Sequence, residues 1–264
     1  MTGAVNLLRA RVREQIEHLG GIAQLAGECL RRLFTGRFET RLFLRDLDYI
    51  GWQSTGVILL LGSFTGMVLV VQTGLTLKRW GADVYASDIV ALTLVRELGP
   101  VLAGFLVAGR VGSGIAAEIG AMATSEQIDA MRSLGANPLR KLVIPKAVAA
   151  LFGLPLLTAI TDLIGILGGM LMAFLLLHIT PYQFINRVQE RVTIGDLLSG
   201  IGKTAAFGLI IALVACYYGL RTTGGTAGVG RSATSSVVTS CVLILATNLF
   251  ITSAFFAIGG VLQV

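Results

Sequence analysis

Apolar residues run through this chain in long unbroken stretches. Residues 50–77, 89–123, 142–178, 197–218 and 237–262 each reach the length of about 20 residues that a helix needs to cross hydrocarbon. The runs are continuous, which predicts helices; a barrel would show alternating segments of about 10 residues. The second and third runs exceed the crossing length and are expected to tilt or to extend past the bilayer. Residues 1–49 show another pattern. Val12, Ile16, Leu19, Ala23, Ala26, Leu30 and Leu33 recur at helical spacing among arginines and acids, which predicts an amphipathic helix lying in the membrane interface. Thr35-Gly36 is expected to break that helix, and a second short helix around 38–49 to lead into the bilayer. Arg9, Arg11, Arg13, Glu14 and Glu17 interrupt the early apolar content, so a signal peptide is not expected. The fold class is therefore an all-α polytopic membrane protein. An interfacial region over 1–49 precedes a five-helix transmembrane domain over 50–264.

Composition agrees: of 264 residues, 54% are hydrophobic and only 14% charged. A net charge of +6 would point to nucleic acid in a soluble protein. Here it reads as a topology signal, and no nucleic-acid partner is expected. Lys and Arg number 14 over 1–49, 124–146 and 219–236, on the side holding the N-terminus, and 4 over 78–88 and 179–196 on the other. The positive-inside bias then puts the N-terminus and the 124–146 loop in the cytoplasm and the C-terminus outside. An odd number of spans excludes two equal inverted halves, which weighs against a secondary transporter. A homodimer is the simplest source of the symmetry a path would need. Cys29, Cys216 and Cys241 form no CxxC and are odd in number, and His18 and His178 stand alone, so neither a disulfide framework nor a metal site is expected. Gly62/Gly66 and Gly165/Gly169 have GxxxG spacing and read first as close helix packing within the chain.

The chemistry concentrates in 96–146. Arg96, Ala103, Val107, Arg110, Gly114 and Glu118 fall on one helical stripe, and a central charge facing lipid costs at least ~2.5–3.5 kcal/mol. This face is expected against protein or a polar cavity. Arg96 and Glu118 lie roughly 33 Å apart along a helix and cannot be partners, whereas Arg110 and Glu118 suit structural pairing in the bundle. Arg96 and Glu97 sit beside Pro100, which removes a backbone donor and is expected to kink the helix. Lys203 enters the fourth span at similar depth. Two readings stay open: a wall of Arg96 and Lys203 for a phosphate headgroup, or a buried salt-bridge network around Glu97. Gly202-Lys203-Thr204 is no P-loop, because position 197 is Leu and no strand precedes it. The glycines of 224–230 lack the strand of a dinucleotide site and read as a flexible cytoplasmic turn into the fifth span. Residues 125–134 predict a short helix capped at Ser125 and closed at Gly135, with Ile128, Met131 and Leu134 as an apolar face for a partner groove. Asn137-Pro138 would turn the chain, and Arg140-Lys141 would anchor it at the headgroups.

The strings ELGPVLAGFLVAGRVGSGIAAEIGAM, SEQIDAMRSLGANPLRKLVIP and GTAGVGRSATSSVV resemble the MlaE/YrbE permeases of MCE-type lipid transporters, over essentially the whole chain. The resemblance implies an ABC system built on a homodimer of this permease. A separate cytoplasmic ATPase dimer would bind ATP and Mg, and this chain would need no cofactor of its own. A STAS-domain protein and a periplasmic MCE-domain hexamer are the other implied partners. The implied cargo is phospholipid moved between inner and outer membranes, which maintains outer-membrane asymmetry, and the implied location is the bacterial inner membrane. By position, 125–135 becomes the coupling helix, with Glu126, Gln127, Ile128, Asp129, Met131, Arg132 and Leu134 meeting the ATPase. Arg96, Glu97 and Lys203 match polar positions near an outward-facing lipid cavity, and Leu69, Gln72 and Leu77 would contribute to its wall. Asn248 stands in the same path where many relatives carry Asp. The rival expectations are an ion-coupled transporter relaying through Glu97 and a membrane scaffold without transport. A membrane enzyme is least expected, because no nucleophile–base pair appears.

Overall fold

Close contacts between small residues hold the helices together. The structure, a computed structural model, describes residues 2–33, 39–82 and 85–261. Helices α1 (Thr2–Leu33) and α2 (Thr40–Ile50) precede α3 (Trp52–Lys78). The second span is built from α4 (Ala86–Thr93), a π-helical turn (Leu94–Leu98), α5 (Gly99–Val107), a second π-helical turn (Ala108–Gly112) and α6 (Ser113–Thr124). Short α7 (Gln127–Ser133) and a π-helical turn (Leu139–Val143) lead to α8 (Ile144–Leu177). The amphipathic α9 (Pro181–Arg191), α10 (Ile194–Leu220) and α11 (Gly225–Val261) complete the chain. Among the described residues there is no strand, and five continuous helical stretches are long and apolar enough to cross a membrane: Thr40–Lys78, Ala86–Thr124, Leu139–Leu177, Ile194–Leu220 and Gly225–Phe255.

Helices α3 and α8 run parallel through the middle of the bundle. Gly62 lies against the Thr161 backbone, Gly66 against the Gly165 carbonyl, Gly168 against the Ser63 backbone and Gly74 against the Leu177 side chain. The two GxxxG pairs therefore face each other inside one chain. Without a hydrophobic driving force between helices in lipid, this backbone approach gains dispersion that larger residues would forfeit. Helix α10 packs on α8 in the same way, with Gly208 on the Ala150 carbonyl. A large cluster centred on Ile58, Val107, Leu154, Phe207 and Ile211 fills the half of the bundle next to α7, and a smaller one around Val70, Leu94, Leu177 and Phe184 fills the half next to α9.

Two local expectations change. The glycines of 224–230 are not a flexible turn: only Gly224 and Gly225 take positive φ, and the helix then runs unbroken from Gly225, twelve residues before the expected start of the fifth span at 237. Gly228 is packed on the Thr223 carbonyl, and Thr222 donates to Ser232 at 2.8 Å, so tertiary contact holds the glycines helical. Ser125 does not cap α7. Its hydroxyl donates back to the Ala121 carbonyl at 2.8 Å, and Glu126 in the left-handed region (φ 59°) precedes α7 with no side-chain cap. In α1, Ile16, Leu19 and Leu30 of the apolar stripe are not covered by the rest of the chain, while Ile22 packs with Val214 and Tyr217. Cys29 is also buried, and that burial pushes its thiol up to about 11, so it packs as a small neutral group. The expected break at Thr35-Gly36 and the end of the fifth span at 262 lie outside the described residues, as do the side chains of Val12 and Leu33.

Asp162, unremarked by pattern, lies in the middle of α8 against Gly99, is 3% exposed, and has no hydrogen-bond partner at either carboxylate oxygen among the described residues. Burying a polar group without a partner costs about 1–3 kcal/mol by mutational measure. Asp162→Val is therefore expected to raise the thermal unfolding temperature of the detergent-solubilised protein. Gly66→Ala should lower it, by an overpacking cost of about 3 kcal/mol, because the obstruction is backbone and cannot rotate away. Gly56→Ala, which meets nothing within 4 Å, is the neutral control.

Candidate functional site

Pro100 shapes the centre of the site. In a regular helix its N–H would bond the Arg96 carbonyl; proline has none, and the freed oxygen accepts from Lys203 Nζ at 2.7 Å. The preceding turn is π-helical, with Gly99 N–H on the Leu94 carbonyl, so one extra residue is accommodated just where Arg96 and Glu97 emerge. Leu94 and Leu98 turn towards the smaller apolar cluster. Arg96 and Glu97 turn towards α10 and α11.

Glu97 Oε1 accepts from Lys203 Nζ at 2.9 Å and from the Thr252 hydroxyl at 3.0 Å, and its Oε2 accepts from Asn248 Nδ2 at 2.8 Å. Lys203 also reaches Thr252 Oγ1 at 3.0 Å and Asn248 Oδ1 at 3.3 Å. Its ammonium is 2% exposed and shares three protons among four acceptors, so every charge it carries is answered. Asn248 bridges acid and base because an amide both donates and accepts; an Asp there would place a second anion beside Glu97 with one lysine to neutralise both. One helical turn on, Thr252 closes the ring.

Arg96 belongs to a second pair. Its Nε and Nη2 each lie 2.7 Å from Asp196 Oδ1, while Asp196 Oδ2 accepts from the Thr193 N–H at 2.9 Å and hydroxyl at 2.8 Å as the capping box of α10. Asp196 is buried, but the Arg96 side chain is 40% exposed. A guanidinium has five N–H donors, and Asp196 engages only two groups, which leaves donors for an oxygen-rich ligand. Two carboxylates and two cations thus stitch the second span to the fourth and fifth.

The structure brings Arg96, Glu97, Lys203 and Asn248 together. It does not place Leu69, Gln72 or Leu77 in this group: Leu69 and Leu77 pack in the smaller apolar cluster, and Gln72 is exposed on α3. Thr252, Asp196 and Thr193 were not singled out from sequence. The available signals were the i,i+4 spacing of Asn248 and Thr252 and the Thr-x-x-Asp capping box ahead of Lys203.

On α7, Glu126, Gln127, Asp129 and Arg132 are exposed, and Arg132 Nη1 donates to Asp129 at 2.8 Å. The expected apolar face is divided. Ile128 is buried and Met131 half-buried against the large cluster, whereas Leu134 is 86% exposed. A groove of about 370 Å³ lies beside the helix, lined by Arg132, Asn137, Pro138, Leu139 and Leu220. Arg140 and Lys141, the expected headgroup anchors, are exposed.

A five-span helical bundle with a closed ionic network between spans and an exposed helix at the end of the second defines a polytopic membrane protein. The family model for the permease MlaE matches residues 43–254, and the chain belongs to that family. It is 41% identical over 217 residues to a probable ABC transporter permease protein of Rickettsia conorii, covering 82% of this chain and 84% of the relative. A probable ABC transporter permease protein of Synechocystis is 38% identical over 232 residues, 88% of each chain. The chloroplastic protein trigalactosyldiacylglycerol 1 of Arabidopsis thaliana is 36% identical over 236 residues, 89% of this chain and 67% of that protein. The chain is thus an ABC transporter permease by family.

The network makes a stability prediction. Lys203→Met should cost about 3 kcal/mol, the low end for breaking a buried pair, because Glu97 keeps Asn248 and Thr252. Adding Glu97→Gln should recover much of that loss in a thermal unfolding assay, since no charge is then left without its partner.

Proposed function

We propose that this permease is the membrane subunit of an ATP-driven phospholipid transporter that acts as a homodimer and draws its energy from a separate cytoplasmic ATPase dimer. The carrying observation is one continuous path: α7, exposed on one side, comes directly after the span that bears the Arg96–Glu97 network. A displacement at α7 would reach Glu97 through α6 and α5. Leu134 and the neighbouring groove offer a contact for the ATPase, and Glu126, Gln127, Asp129 and Arg132 offer charge recognition. The galactolipid in the Arabidopsis relative's name supports a lipid cargo.

In this reading the half-exposed Arg96 guanidinium meets the headgroup, and Lys203, Glu97 and Asn248 hold its backdrop in place. Leu69, Gln72 and Leu77 line the cavity only when a second copy completes it. The fifth span is the least covered by the rest of the chain, and Val238, Val242, Leu245 and Leu249 form an exposed stripe along it. The cargo moves between the inner and outer membranes, and the transporter maintains outer-membrane asymmetry together with a STAS-domain protein and a periplasmic MCE-domain hexamer. The permease sits in the bacterial inner membrane with its N-terminus cytoplasmic.

Purification in mild detergent should yield the chain with an ATPase and phospholipid. Glu126→Lys with Asp129→Lys should lose the ATPase but keep membrane insertion and bound lipid. Arg96→Ala should reduce bound phospholipid by mass spectrometry. Steady lipid transfer by the chain reconstituted alone would overturn the proposal.

A further inference from the structure

A second charged cluster lies at the cytoplasmic end of the bundle, and neither the lipid path nor the α7 surface uses it. Lys146, in the first turn of α8, is 5% exposed. Its Nζ donates to Glu118 Oε2 on α6 at 2.8 Å and to Asp46 Oδ1 on α2 at 3.4 Å. Glu118 and Lys146 stand 28 residues apart, and α7 lies wholly between them. The pair therefore closes the base of the hairpin whose tip is α7. Asp46 adds the first span, because α2 and α3 form one continuous stretch. Packing reinforces the joint: Ile50 lies against Gly153, and the Tyr49 hydroxyl against Gly114.

The joint also has room to rearrange. A cavity of about 450 Å³ opens beside it, lined in part by Arg45, Asp48, Gln53 and Lys141. Asp46 and Lys146 are nearly covered, with side chains 17% and 7% exposed, but Glu118 is 50% exposed. Alternative partners of both signs thus border a cation that cannot be left unpaired. Coupling between distant sites requires an element with discrete arrangements, and the bordering charges give this group more than one way to be paired.

We propose that Lys146 is the positioning residue that makes the first three spans move with α7, so that ATPase motion at the helix is delivered to the network around Glu97. This rests on the ATP-driven reading above. Removing the joint should leave the ATPase bound and turning over while lipid movement falls. In the reconstituted complex, Lys146→Met should retain ATPase capture and ATP hydrolysis but move about tenfold less lipid per ATP, within the roughly 5- to 150-fold range of coupling free energies. Lys146→Arg should restore the ratio. Because Lys146→Met leaves two acids without their cation, two further variants guard against misfolding. Glu118→Gln alters the half-exposed partner alone and should lower the ratio in the same direction. The triple variant Asp46→Asn, Glu118→Gln, Lys146→Met leaves no buried charge and should be equally uncoupled. A wild-type ratio of lipid to ATP in the triple variant would overturn the joint. A wild-type chain that captures no ATPase would overturn the ATP-driven reading, and the joint with it.

Discussion

The neutralisation of one buried ammonium governs the half of this molecule next to α9. Lys203 lies in the fourth span with 2% of its side chain exposed, and a cation in that position is tolerated only where oxygen surrounds it. A carbonyl released by Pro100, a carboxylate on the π-helical turn, and an amide and a hydroxyl from the fifth span supply that oxygen. Three spans are thereby held in one arrangement. An apolar substitute would leave them to their packing contacts alone, because lipid solvates an apolar helix as well as a neighbouring helix does.

The two ends of the second span are built on the same principle. At the end next to α9 the ion pairs join it to the fourth and fifth spans; at the end next to α7 Glu118 joins it to the first and third through Lys146. Two π-helical turns interrupt the span, one at Leu94–Leu98, which carries Arg96 and Glu97, and one at Ala108–Gly112. Each adds a residue to its turn and rotates the helix beyond it about its axis, so Arg96 faces Asp196 of the fourth span while Arg110 and Gly114 face the first, where Arg110 donates to Ser54 at 2.8 Å and Gly114 lies against the Tyr49 hydroxyl. π-helical turns of this kind are frequent at functional sites.

Glycine determines where the spans are fixed to one another by contact instead of charge. Gly66 on Gly165 and Gly208 on Ala150 bring backbones together along the parallel α3–α8 pair and the α8–α10 pair. These contacts leave the outward faces of α3 and α11 rich in exposed large apolar residues, such as Phe64, Val68, Val242 and Leu249. Lipid or another copy of the chain can cover them, and both are apolar surroundings.

The sequence alone determined the spans, their number and the residues that had to be explained. Hydrocarbon demands about 20 apolar residues for each crossing, and that demand is local. It also marked Arg96, Glu97, Arg110, Glu118 and Lys203, because a charge at such depth stands out against its neighbours. Which charges meet was decided only by the fold. Glu97 and Lys203 are separated by 106 residues and Lys146 and Asp46 by 100, and no period along the chain relates them. The helical state of 225–230 and the division of the α7 face between core and surface were likewise tertiary outcomes. Glycine is a poor helix former by itself, and a short apolar face does not reveal which of its residues its own bundle will cover. Asp162 is the extreme case: it stands in the middle of the third apolar run, and only the packing of α8 against Gly99 shows that its carboxylate is buried with no partner among the described residues.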